Sequence, residues 1–178
     1  MKIIIFHKTY YQNKKKINIL NKTLVENLYK IETNTVIQNN IISLSIKFKW
    51  KKLIFLGSSC IYPKLWKKPF KEEDLSLSKL EKTNEYYAIA KISGLKLCEA
   101  YNNQYNKKLP KFITVIPPNL FGANDNYDSQ NSHVLAALLR KFYLAKKRGL
   151  KKITIWGTGK PRREFLYSVD AANIIIDI

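Results

Sequence analysis

Glycine is scarce in this chain, and the first one stands at position 57. A Gly-rich turn that lets a helix N-terminus approach a pyrophosphate is therefore excluded upstream of Gly57. Cysteine is nearly absent: Cys60 and Cys98 cannot build a disulfide framework. Long apolar runs are lacking too. Stretches such as Lys52-to-Cys60 and Ile174-to-Ile178 are too short to span a bilayer. The opening MKIIIF is too brief for a signal-peptide core, so the sequence reads as cytoplasmic, with no membrane partner. Acidic residues are few, 13 against 32 Lys and Arg, giving a formal net charge of +19. Among the cations arginine is rare, confined to Arg140, Arg148, Arg162 and Arg163. Base reading favours arginine forks in a localised patch. Here lysines are scattered in groups such as Lys14-Lys15-Lys16 and Lys151-Lys152, among abundant Ile, Asn and Tyr. That pattern fits the coding bias of an AT-rich genome, and no dedicated nucleic-acid binding is expected.

What remains is an ordinary globular composition, 46% hydrophobic and 25% charged over 178 residues, enough for one domain. Lys2-to-Phe6 reads as a short strand, and the polar stretch from 7 to 22 shows no period. From Thr33 the pattern becomes regular. Thr33 or Asn34 is placed to cap a helix carrying Val36, Ile37, Ile41, Ile42 and Leu44 to Ile46. Lys52 to Gly57 reads as a buried strand, and Pro63 and Pro69 punctuate a loop. Asn84 to about Asn106 reads as a long helix, with Gly94 a close-packing position. Phe112 to Ile116 is a β-branched strand ended by Pro117-Pro118. Asn119 to Asn131 reads as a loop. Ser132 is placed to cap a helix that runs through Arg148, with Gly149 just beyond its end. Ile153 to Trp156 reads as a strand followed by the Gly157-Thr-Gly159 turn. Ser168 or Asp170 opens a last helix. Alternating strands and helices predict an α/β fold with a parallel sheet.

The sharpest chemical signal is Tyr87-Ala-Ile-Ala-Lys91. Tyrosine and lysine four apart share one helix face. An ammonium beside the phenol favours the phenolate, which is expected to lower the Tyr87 pKa and make it a proton donor or acceptor. Tyr-x-x-x-Lys alone is a weak pattern, and the bland reading is a pair of boundary residues. The preceding strand changes the weighing, because Gly57-Ser58-Ser59 follows its carboxyl end. Ligands of α/β sheets bind beyond the carboxyl ends of strands, and a serine there suits a substrate oxygen.

Strand, Ser-Ser, loop, then Tyr-x-x-x-Lys is the order of the short-chain dehydrogenase/reductase superfamily. The segments Leu56-Gly-Ser-Ser-Cys-Ile-Tyr-Pro-Lys64, Thr83-Asn-Glu-Tyr-Tyr-Ala-Ile-Ala-Lys91, Pro117-Pro-Asn-Leu-Phe-Gly122, Asn131-Ser-His-Val134 and Trp156-Gly-Thr-Gly-Lys-Pro-Arg-Arg-Glu-Phe165 narrow it. Together they resemble the GDP-L-fucose synthase family, which belongs with the NAD-dependent epimerase/dehydratases. The resemblance covers about residues 33 to 178.

It implies that Ser58, Tyr87 and Lys91 form a reductase triad. It implies that Cys60 and His133 are an acid/base pair for epimerisation at the carbons flanking a ketone. Read without the family, Cys60 is a small apolar residue and His133 a helix-start residue. Leu56, Gly57, Ser58 and Ser59 match a cofactor-lining segment, as do Pro117, Pro118, Asn119 and Leu120, with Tyr87, Lys91 and His133 also at the cofactor. Lys141, Trp156 and Arg163 match positions that hold the GDP-sugar. Read alone, Trp156 is a strand-core aromatic and Arg162-Arg163 a solvated pair. The implied cofactor is NADP(H), with no metal. The implied substrate is GDP-4-keto-6-deoxy-D-mannose, and the implied partner a second copy paired through the Tyr87 helix.

The departures shape the expectation as much as the matches. The family opens with Gly-x-x-Gly-x-x-Gly, which is not found here. Lys141 stands where arginine is commoner, exchanging a fork for a point charge. The expected fold is thus a partial Rossmann-like doubly wound parallel sheet whose Gly-rich first half is missing. Residues 1–32 are expected as a divergent segment. Residues 33–178 are expected as an incomplete NAD(P)-binding domain, with elements of a small substrate domain from about 120 to 168. Poor NADPH binding follows from that expectation. The alternatives are another nucleotide-sugar epimerase/reductase, sharing Ser58, Tyr87 and Lys91 but leaving Cys60 and His133 without a purpose, or a non-enzymatic remnant.

Overall fold

The computed structural model describes residues 22–63, 69–75, 79–105, 112–128 and 132–178. The strand expected at Lys2-to-Phe6 and the aperiodic stretch up to residue 21 lie outside the described residues. The chain divides into two compact units, Met1–Ile116 and Pro117–Ile178.

In the first unit helix α1 spans Lys22–Lys47. Neither proline nor glycine occurs in it, so nothing interrupts its ladder. It begins well before the expected caps. Asn34 does not cap: its side-chain amide donates to the Lys30 carbonyl one turn back, at 2.6 Å. The helix ends through Lys49, held left-handed at φ 50. Trp50 N–H reaches the Ser45 carbonyl at 2.9 Å and Lys49 N–H the Ile46 carbonyl at 3.0 Å, a Schellman closure.

Strand β1, Leu53–Leu56, follows, then a 3-10 turn at Ser59–Ile61 and another at Glu72–Asp74. Helix α2 spans Glu85–Tyr105 and strand β2 Phe112–Val115, within a residue or two of expectation. β1 and β2 pair in parallel, with Leu53 opposite Phe112 and Leu56 opposite Val115. Ile42, Phe55, Ile61, Leu95, Cys98 and Phe112 form one buried cluster that joins both helices to the strands. Each such side chain contributes roughly 1.5–3 kcal/mol when fully buried. Asn102 adds a polar clamp between α2 and β2, donating to the Phe112 carbonyl at 2.7 Å and accepting from its N–H at 3.0 Å.

The second unit holds β3 (Asn119–Phe121), α3 (Val134–Lys147), β4 (Phe165–Tyr167) and α4 (Ser168–Asp177). Three differences from the sequence reading appear. Asn119 opens a strand rather than a loop, because β3 pairs in parallel with β4. Ile153 to Trp156 is not a strand: it lacks a ladder partner among the described residues, and Ile155 and Trp156 stand in solvent. His133, not Ser132, occupies the cap of α3, without a side-chain capping bond. Gly149 does end α3 as expected, at φ 65, with Leu150 N–H on the Ala145 carbonyl. Parallel pairing in both units fits the expected α/β class. No described helix is long and apolar enough to cross a membrane.

Candidate active site

The site is built at the carboxyl end of β1. Gly57 carries the ladder one step further, its N–H on the Val115 carbonyl at 2.8 Å. A β-carbon there would lie 3.2 Å from the Ile116 side chain, so the tight approach favours glycine. Ser58 then turns the chain. Its backbone is extended, and its hydroxyl accepts the Cys60 N–H at 3.3 Å, opening the 3-10 turn. That turn sets Ser58 and Cys60 at the strand end, where both remain half-buried.

α2 brings the other two groups. Tyr87 and Lys91 lie one turn apart and half-buried, as their spacing predicts. The Ser58 hydroxyl stands near enough to the Tyr87 phenol to favour its charged form. Lys91 Nζ donates to the Leu56 carbonyl at 2.8 Å, 5.7 Å from the Tyr87 ring centroid and 5.1 Å from that of Phe55. Ser58, Cys60, Tyr87 and Lys91 are therefore one cluster, drawn from a strand end and a helix.

The electrostatics correct one expectation. Burial pushes the Tyr87 phenol up from its ordinary value, the Cys60 thiol adds to that, and only the Ser58 hydroxyl opposes it. Lys91 is not among the groups that move the phenol; its ammonium donates to the Leu56 carbonyl at 2.8 Å, and burial lowers its own pKa. Tyr87 is thus held as a protonated phenol at neutral pH, the form that gives a proton.

In the second unit, Asn119 donates through its backbone and its side chain to the Glu164 carbonyl, at 3.2 and 3.0 Å. Pro117 and Pro118 precede it half-buried, and Leu120 is exposed. His133 is exposed at the start of α3. Lys141 Nζ lies 5.9 Å from the Trp156 ring centroid, a loose cation–π pair. Trp156 is 90% exposed, which overturns its reading as a strand-core aromatic and leaves a free aromatic face beside a cation. Arg163 is exposed and turns back onto the Arg162 carbonyl at 3.1 Å.

The sequence pattern of the NAD dependent epimerase/dehydratase family matches residues 20–178. The chain belongs to that family. This epimerase/dehydratase family member is 47% identical over 146 residues to a GDP-L-fucose synthase of Sinorhizobium fredii, covering 82% of this chain and 46% of the relative. It is 48% identical over 148 residues to a GDP-L-fucose synthase of Escherichia coli, covering 83% of this chain and 45% of the relative. Among solved structures it resembles a GDP-L-fucose synthetase from Naegleria fowleri bound to NADP. The TM-score is 0.76 at 34% identity, with 88% of this chain and 50% of that one covered. The chain spans less than half the length of these two curated relatives.

Two participants escaped the sequence reading. Phe55 passes for a core strand residue, and the Leu56 carbonyl carries no side-chain signal. A hint was available in Gly94, one turn beyond Lys91, whose bare backbone leaves room for a large ring opposite.

Proposed function

We propose that this chain carries reducing and epimerising residues of a cytoplasmic enzyme that converts GDP-4-keto-6-deoxy-D-mannose to GDP-L-fucose. The observation that carries the reading is the Tyr87–Lys91 pair on one face of α2, with the ammonium 5.7 Å from the Tyr87 ring centroid and bonded to the Leu56 carbonyl at the strand end that carries Ser58. The residues present suit the nicotinamide end of NADP(H): two hydroxyls, and an ammonium that keeps two N–H donors beyond the one given to Leu56. For the pyrophosphate end, residues 1–56 contain no glycine and so supply no Gly-rich turn. Bound NADPH supplies hydride to the C4 ketone.

Tyr87, protonated by virtue of burial, gives its proton to the C4 oxygen. Ser58 hydrogen-bonds the same oxygen and orients it. Lys91 holds the nicotinamide ribose hydroxyls. The C4 ketone acidifies the hydrogens at C3 and C5, and Cys60 and His133 remove and return them. Leu56, Gly57 and Ser59, and separately Pro117 to Leu120, line the cofactor. Lys141, Trp156 and Arg163 hold the GDP-sugar by charge and stacking. A second copy of the chain pairs through α2.

The test is turnover by the full chain with NADPH and the keto-sugar in deuterated water. NADPH oxidation is expected only at high NADPH, since the pyrophosphate end is weakly held, with Tyr87→Phe slowing it by about two to four orders of magnitude. Cys60→Ser is expected to stop deuterium entry at C3 and C5 while sparing reduction of the already epimerised sugar. An unchanged deuterium pattern in Cys60→Ser removes the epimerase assignment. No oxidation by the unmodified chain refutes the reading.

A further inference from the structure

Phe55, 8% exposed, lies on β1 against two features of α2. On one side stands the Lys91 ammonium, 5.1 Å from the ring centroid. On the other lies Gly94, where a β-carbon would overlap Phe55 Cζ and lie 2.8 Å from Gln38 Oε1. Gln38, itself buried, donates from Nε2 to the Ala90 carbonyl at 2.7 Å, which ties α1 to the same turn of α2. The ring is thus confined by a bare stretch of helix and a buried amide, and Lys91 meets it from the site side.

The arrangement has a physical consequence. Lys91 is lowered by burial, so its ammonium sheds part of its hydration. The negative face of an aromatic ring returns some of that lost stabilisation without offering a hydrogen bond. The Leu56 carbonyl takes one N–H, and the ring supports the charge while leaving the remaining donors free. The titratable side chains of the cluster are Lys91 and Tyr87 from α2 and Cys60 from the strand end.

We propose that Phe55 is a positioning residue for Lys91, its ring forming the floor on which the ammonium is held charged and aimed at the end of β1. The inference rests on the proposed role of Lys91 for its functional meaning, but its test does not require turnover. The full chain is labelled at the lysine ε-carbons, and the Lys91 resonance is assigned by its loss in Lys91→Arg. Phe55→Leu is expected to move the Lys91 titration to lower pH. If Phe55→Leu does not fold, a trifluorinated phenylalanine at position 55 replaces it. That residue keeps the ring's shape and loses its negative face, and the same downward movement is expected.

Unchanged Lys91 titration in a folded Phe55→Leu chain, or in the fluorinated chain, overturns the proposal. If the enzyme reading holds, Phe55→Leu also raises the KM for NADPH about two- to fivefold with kcat less affected. A shifted titration in a chain that never oxidises NADPH supports the floor and refutes only the enzyme reading.

Discussion

Replacing Gly94 with alanine adds one methyl group where α2 crosses β1. On an isolated helix the change stabilises, by about 1 kcal/mol of intrinsic propensity. Here the new carbon would overlap the edge of the Phe55 ring and crowd Gln38 Oε1 at 2.8 Å. Overpacking of this kind costs about 1–3 kcal/mol. Gln38 has a flexible end and can swing away, but it then surrenders its 2.7 Å bond to the Ala90 carbonyl. A net hydrogen bond is worth about 1 kcal/mol. The balance is a destabilisation of about 1–3 kcal/mol. For a chain of this size that lowers the thermal midpoint by roughly 3–10 °C. The assay is a melt followed by circular dichroism, repeated as a urea titration. Gly94→Ala with an equal or higher midpoint would refute the reasoning. It would mean that Phe55 and Gln38 yield freely and that α2 is not held against β1 by close packing.

Other outcomes follow from the same structure. Asn102→Ala removes both bonds of the clamp on Phe112, and a loss of about 1–3 kcal/mol is expected in urea unfolding. Lys49→Gly relieves a left-handed residue with a side chain and is expected to add about 1 kcal/mol, read as a higher urea midpoint. Burial pushes the Cys98 thiol from 9.0 up to about 12. The folded state therefore holds a proton that the unfolded chain releases, so stability contributed by the neutral thiol is intact below about pH 9 and declines as pH rises toward 12. Burial of Lys91 acts in the opposite sense over that range, so the comparison is with Cys98→Ala, whose urea midpoint is expected to decline less steeply in alkali. If a second copy pairs through α2, light scattering returns twice the mass of 20.8 kDa, and a charge introduced by Ala100→Glu halves it.

The parts of the fold that sequence made legible are those with a strong local period and a clear stop. β1 is an apolar run ended by glycine, α2 has a long stripe with one small residue, and β2 stops at two prolines. The Ser58, Tyr87 and Lys91 cluster came with them, since spacing on a helix and position after a strand are sequence properties. β3 and β4 were not legible, because each is three residues long and exists only by pairing with the other. Ile153 to Trp156 alternates like a strand, yet propensity without a neighbouring ladder does not make one. The start of α1 was missed although Asn21, a favoured capping residue type, stands immediately before Lys22 in the sequence; the run Lys22 to Glu32 has weak amphipathicity and did not draw attention to it. The state of Tyr87 was misread for a different reason. The i,i+4 spacing brings Lys91 to the same face, but which acceptor its ammonium takes is decided by the Leu56 carbonyl, a backbone group from another element.

One residue, Gly57, separates the last ladder pair, Leu56 with Val115, from the hydroxyl that meets Tyr87. Side chains alternate along β1, with Leu53 and Phe55 buried and Ile54 and Leu56 less so. A single-codon insertion or deletion between Leu53 and Gly57 would therefore invert the strand's inside and outside at a stroke. It would also carry Ser58 one step past or short of the phenol. This short segment tolerates exchange of side chains far better than change of length, so natural variants of the protein are expected to keep its spacing even where its letters differ.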